Sequence, residues 1–161
     1  MVEDEDEILA RALGEVGAAG GALGNAIGGG SGGGFGGRLG SRFTARFLKT
    51  VSQEAELTLH LPLSAAAERV QDVLTEMRHP IVQNSLKAMI GQNKITAIAG
   101  GGVSNLNPVV ITVKLTACGG RSTALKIRTA AKEGLIKQRS AEKAMKKFVG
   151  LLGTPDITGD L

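Results

Sequence analysis

The stretch VVITVKLTACGGRSTALKIRTAAKEGLIKQRSAEKAMKKFVGLL, residues 109–152, decides the fold. Its opening residues alternate, placing Val109, Ile111, Val113, Leu115 and Ala117 on one side of an extended chain, with Val110, Thr112, Lys114, Thr116 and Cys118 on the other. After two glycines the alternation resumes, with Thr123, Leu125, Ile127 and Thr129 set against Ala124, Lys126, Arg128 and Ala130. Two strands joined by a tight turn at Gly119 and Gly120 follow. A two-residue loop would oppose odd to even positions and drive Lys126 towards the core. A three-residue loop over 119–121 sets Leu115 against Leu125 and Val113 against Ile127, so that loop is expected, with a glycine in the left-handed conformation. Further on, Ala141, Ala144, Met145, Phe148, Val149 and Leu152 recur at the spacing of a helix laid on a sheet. Lys137, Arg139, Lys143, Lys146 and Lys147 fall mainly on its solvent side, and Lys132 stands where the chain approaches it.

Upstream, residues 54–61 alternate again, with Ala55, Leu57, Leu59 and Leu61 against Glu54, Glu56, Thr58 and His60, and Pro62 ends that strand. Ser64 is the expected N-cap of a helix carrying Ala66, Val70, Val73, Leu74 and Met77, stopped by His79 and Pro80. A second helical piece is expected from Pro80 through Val82, Leu86, Met89 and Ile90, closed by Gly91. A strand over 94–99 and a loose Gly, Ser and Asn connection lead back to the hairpin.

The order strand, helix, helix, three strands, helix specifies an α+β fold of two layers, a four-stranded antiparallel sheet with helices packed on one face. Charge suggests the strand neighbours. If the first strand lies beside the last, Glu54 and Glu56 face Lys126 and Arg128, and each opposite pair contributes a few tenths of a kcal/mol, roughly. The strands then stand in the order first, fourth, third, second, with no crossed connections.

The remaining chain divides by composition. Residues 1–13 form an acidic tip with a short helical pattern at Ile8, Leu9, Ala12 and Leu13; residues 14–40 read as a glycine-rich flexible linker; 41–50 as a basic amphipathic segment; 51–152 as the α+β domain; and 153–161 as a tail. Leu39, Phe43 and Phe47 recur every four residues beside Arg38, Arg42 and Arg46, a pattern suited to docking on the domain, on an anionic membrane surface or on an acidic partner. The uncharged glycine-rich part has too few large apolar residues for a membrane span.

The 161 residues include 24 glycines and no Trp or Tyr, which argues against a surface that stacks nucleic-acid bases. Cys118 is the lone cysteine, so no internal disulfide and no zinc motif is expected. The acidic start differs from the positive first segment of a secretory signal, and a cytoplasmic location is expected. The formal charge of +4 is unevenly spread: residues 121–147 hold nearly half of the 19 Lys and Arg, against Glu133 and Glu142.

The run EAELTLHLPLSAAAERVQDVL at residues 54–74, followed by strands and a terminal helix, resembles a shortened helix-grip domain of the START and polyketide-cyclase superfamily over residues 51–152. That resemblance implies a sheet closed by its last helix around a small apolar ligand. Residues 80–152 also resemble a double-stranded-RNA-binding domain in element order, with KQRSAEK at 137–143 where that family meets phosphates; Ala141 and Glu142 stand in place of its lysine pair.

No spacing of nucleophile, base or metal ligands stands out, and His60 and His79 are the only imidazoles. The sequence therefore points to a non-catalytic binding module without metal or cofactor. Its basic residues, Lys114, Lys126, Arg128, Lys132, Lys137, Arg139, Lys143, Lys146 and Lys147, would face an acidic protein, nucleic acid or an anionic membrane surface. A carrier of a small apolar ligand and an RNA-binding domain are the alternatives. The acidic tip is expected to fold back on the basic helix and compete with a partner.

Overall fold

The structure is a computed structural model describing residues 5–28, 48–82, 86–89, 93–101, 106–133 and 138–153, with backbone alone over 20–28 and 86–89. Its elements are α1 (Glu5–Gly28), β1 (Lys49–Leu59), α2 (Leu63–Glu76), β2 (Leu86–Met89), β3 (Lys94–Gly101), β4 (Asn107–Ala117), β5 (Thr123–Glu133) and α3 (Ser140–Leu152). All neighbouring strands run antiparallel in the order β1-β5-β4-β3-β2.

The four strands expected from alternation are β1, β3, β4 and β5, and they stand in the expected order. The hairpin register is also the expected one, with Leu115 opposite Leu125 and Val113 opposite Ile127. Cys118 N–H donates to Ser122 O at 2.8 Å, which leaves 119–121 as the loop, and Gly119 takes φ +83°.

A fifth strand corrects the reading of residues 80–90 as a helix. Leu86–Met89 pairs with β3, Leu86 opposite Ala97 and Ala88 opposite Ile95. So short an apolar run satisfies a helical and an alternating pattern equally, and the free edge of β3 supplies the hydrogen bonds that decide between them. The same edge is extended by the chain leaving α2: His79 N–H donates to Ile98 O at 3.0 Å and Gly100 N–H to Met77 O at 3.3 Å. Without the helix at 80–90, the order that suggested an RNA-binding domain is not present.

Helices α2 and α3 cover one face of the sheet, here the inner face. Ala66, Val70, Val73 and Leu74 of α2 and Ala141, Ala144, Met145, Phe148 and Leu152 of α3 pack with Leu57, Leu59, Ile95, Val109, Ile111, Val113, Leu125 and Ile127 in one buried cluster. Two threonines expected to point inward are buried and satisfied: Thr123 Oγ1 donates to Leu61 O and Thr129 Oγ1 to Ala141 O, both at 2.9 Å. The N-cap of α2 is Pro62 instead of Ser64, and it makes no side-chain capping bond.

The other face is not left to solvent, as helices on a single face would require. Helix α1 lies on it, burying Ile8, Leu9 and Ala12 with partial burial of Val16 against Ile98, Val110, Ala130 and Val82. The spacing i, i+1, i+4, i+8 forms one helical stripe. The helix also continues to Gly28, so the first half of the segment read as a linker is helical. Docking of its first three turns nucleates it, after which each further residue adds one hydrogen bond. Among the described residues no helix is long and apolar enough to cross a membrane.

Gly101 sits where the ends of β3, β4 and α3 converge. A Cβ there would lie 2.8 Å from Val109 Cγ2 and 3.4 Å from both Asn107 O and Ser140 Cβ, and Val109 is fully buried. Gly101→Ala is expected to cost about 1–3 kcal/mol by overpacking. Urea unfolding measures this, and an unchanged midpoint would refute the close approach.

Candidate anion-binding surfaces

Helix α3 is fixed at both ends. Glu133 Oε1 accepts the Ser140 N–H at 2.7 Å, Asn107 Nδ2 donates to Ser140 Oγ at 2.9 Å, and Arg139 takes φ 52° just ahead of the helix. At the far end Arg69 Nη2 of α2 donates to Leu151 O at 2.5 Å, and Gly153 leaves the helix at φ 73°. With its apolar side in the core, the helix turns Arg139, Lys143, Lys146 and Lys147 to solvent within an arc of about 100°. Glu142 is the carboxylate on this face. It accepts from Lys146 Nζ at 3.0 Å and lies 4.0 Å from Arg139 Nε. The Lys146 hydrogen bond, with the nearby positive charge, holds its carboxyl below the usual range. Lys143 and Lys147 are exposed and meet no carboxylate among the described residues.

The outer face of the sheet presents its side chains in rows that cross the strands. Strand register aligns Lys94, Lys114, Lys126 and Glu56; then Thr96, Thr112, Arg128 and Glu54; then Ile98, Val110, Ala130 and Ser52; beyond these, Gly100 stands opposite Pro108 and Lys132 opposite Thr50. The expected cross-strand ion pairs form. Lys126 Nζ is 3.2 Å from Glu56 and Arg128 Nη1 is 2.6 Å from Glu54.

The acidic tip does fold back, but onto this sheet face and not onto the basic helix. Glu5 accepts from Arg128 Nε at 3.0 Å; Asp6 accepts from Thr50 Oγ1 at 2.5 Å and lies 3.2 Å from Lys132 Nζ. Lys132 belongs to β5 beneath α1 and is only 6 % exposed. The Thr50 hydroxyl first, and Lys132 second, hold the Asp6 carboxyl below its ordinary range, while Glu5 and Glu54 hold Arg128 protonated. Arg128 and Lys132 are therefore already committed to carboxylates of this chain.

The basic residues singled out in the sequence thus fall into two groups on opposite sides of the sheet. Arg139, Lys143, Lys146 and Lys147 line α3; Lys114, Lys126, Arg128 and Lys132 line the outer face. Lys137 and the segment with Arg38, Arg42, Phe43, Arg46 and Phe47 lie outside the described residues. Sequence reasoning missed Lys94, which register sets directly opposite Lys114. No local signal marks it, because the register between β3 and β4 follows from packing and not from a short turn.

His79, expected at a helix stop on the surface, is instead 2 % exposed. Its Nδ1 accepts the N–H groups of Ile81 and Val82 at 3.1 and 3.2 Å, which leaves Nε2 to donate to Leu106 O at 3.2 Å. That pattern selects the neutral tautomer. Both nitrogens are occupied in holding three segments together, a structural role. Among the described residues no group of His, Cys, Asp or Glu is placed to hold a metal ion.

Burial lowers the pKa of His79 from its ordinary 6.5, outweighing the Leu106 carbonyl and the Glu15 charge, which act the other way. The unfolded chain therefore takes up this proton first. Stability from the site is complete above pH 6.5 and declines as pH falls below it, with a slope of at most about 1.4 kcal/mol per pH unit. Denaturant unfolding between pH 7.5 and 5.5 is expected to show this slope in the native chain and not in His79→Gln. Equal slopes would contradict it.

No family model matches the chain, and no curated protein matches it. Solved structures give distant likenesses. A conserved protein from Geobacillus kaustophilus shares 13% identity over 63% of this chain and 92% of its own, at a TM-score of 0.35. The Mll3558 protein from Rhizobium loti shares 12% over 65% and 96%, at 0.34. Ara h 8.0201 shares 15% over 65% and 97%, at 0.35.

Proposed function

We propose that this chain is a non-catalytic binding module whose α3 face docks on an anionic partner. The observation that carries the reading is the solvent face of α3, which presents four cations and one carboxylate on a helix held at both ends. Cations carried on a helix whose backbone is already ordered attract a polyanion with little further loss of backbone freedom, and binding releases the counterions condensed on the partner. The surface offers charge without aromatic rings, so recognition rests on charge spacing. A membrane suits it less than a protein or nucleic acid, because the apolar side of α3 is spent in the core. The carrier reading is weaker: the apolar residues that would line a ligand cavity between sheet and α3 pack against one another.

Heparin and duplex RNA are the probes. Binding of the native chain is expected to fall steeply with salt, and Lys143→Glu with Lys147→Glu is expected to weaken it at least tenfold and flatten the salt dependence by about one unit of slope per charge removed. The Arg128→Gln chain should bind as the native one does, since that side chain is already paired. Binding unchanged by the α3 reversals would overturn the reading, and a clear preference for duplex RNA over heparin would make the partner a nucleic acid.

A further inference from the structure

We infer that the lysine row on the outer sheet face, Lys94, Lys114 and Lys126, is a binding site for a phosphate group, separate from the α3 face. Register sets Lys94 directly opposite Lys114 and Lys114 directly opposite Lys126, across three adjacent strands. Side chains directly opposite in an antiparallel pair start about 4.5–5.5 Å apart at Cβ, and like charges there destabilise the sheet. Lys114, in the middle, has a lysine on each side and no carboxylate partner among the described residues. The row's one carboxylate is Glu56, at its far end, 3.2 Å from Lys126 and itself well exposed.

Beside Lys94 and Lys114 the flanking rows hold hydroxyls, and the acid of one of these rows, Glu54, stands at its β1 end. On one side register places Thr96 opposite Thr112, and on the other Thr116 opposite Ala124 and Ala124 opposite Thr58. Glu54 is engaged by Arg128. Helix α1 covers the outer face at Ile98, Val110 and Ala130 and leaves the row open, with Lys114 and Lys126 exposed and Lys94 half-buried. Three lysines in line across adjacent strands, with threonines in the rows on both sides, supply the positive charge and the donors that a phosphate dianion takes up. Lysines act there as adjustable point charges and do not demand the planar fork of an arginine site.

Without its ligand such a row costs stability, and that sets the test. Thermal unfolding of the full chain is compared in sodium phosphate and in sodium chloride of equal ionic strength. The native chain is expected to gain about 3–5 °C once phosphate exceeds its Kd tenfold, because the ligand binds the folded state alone. Lys114→Gln should lose that gain and, in dilute chloride, melt above the native chain, since mutual repulsion is relieved. Lys94→Gln gives the same reading if the first variant folds poorly. The chain with Lys143→Glu and Lys147→Glu should keep the full phosphate response, which separates this site from the α3 reading. A nucleoside 5′-monophosphate giving a larger shift than inorganic phosphate would assign the group to a larger ligand; equal shifts would assign it to the free anion. A phosphate response that survives in Lys114→Gln, or a native chain that melts alike in both salts, overturns the inference.

Discussion

The burial of β4 from both sides is the constraint on which the other elements depend. Five successive residues, Val109, Val110, Ile111, Thr112 and Val113, are all buried. Each large apolar side chain moved out of water contributes on the order of 1.5–3 kcal/mol, so neither face of this strand can stay open cheaply. Helices α2 and α3 supply the inner cover and α1 the outer one. That outer contact explains why a segment with glycine at positions 14, 17, 20, 21, 24 and 28 is helical at all. Each glycine costs about 1 kcal/mol relative to alanine in a helix, and docking of Ile8, Leu9, Ala12 and Val16 offsets this at the start.

Placement of α1 also settles which cations are used internally. Its first turn carries Glu5, Asp6 and Glu7, at the end where the helix dipole favours negative charge. Two of those carboxylates reach Arg128 and Lys132, and Lys132 could not be buried as an ammonium without one of them. The acids of α1 and β1 therefore act chiefly as structural partners of β5. His79 ties down the opposite margin of the same layer, where the chain leaves α2 and Val82 joins the small cluster under α1.

Much of this was legible in the residues. Period-two alternation gave β1, β3, β4 and β5; strand parity gave the three-residue loop and its register; charge gave the neighbour relation between β1 and β5, now seen as Glu54 with Arg128 and Glu56 with Lys126. What escaped has a physical cause in each case. Residues 86–89 carry too few residues to distinguish two periods, and only the vacant edge of β3 resolves them. The outer cover escaped because Val110 and Ile98 look like isolated apolar residues on a polar face until a distant helix is laid over both. The lysine row escaped because a long connection separates β3 from β4, so nothing near Lys94 announces that Lys114 stands opposite. The cationic face of α3 was legible, since helical spacing alone puts Arg139, Lys143, Lys146 and Lys147 together.

Topology then determines which positive charges remain. The acids of the described chain that meet basic strands lie in β1 and at the start of α1, and both elements sit beside β5. Glu54 and Glu56 reach one strand across and no further, while Glu5 and Asp6 extend the same neutralisation along β5. Strands β4 and β3 are two and three positions from β1, and α3 lies on the other side of the sheet. Among the described residues Lys94 and Lys114, and separately Lys143 and Lys147, make no ion pair with a carboxylate for that reason and not by chance of composition. In a chain whose net charge is only +4, two of its groups of cations thereby stand on opposite sides of the sheet. Between them stands a packed core, filled from α2 and α3 on one side of β4 and from α1 on the other, which fixes the backbone spacing of each set.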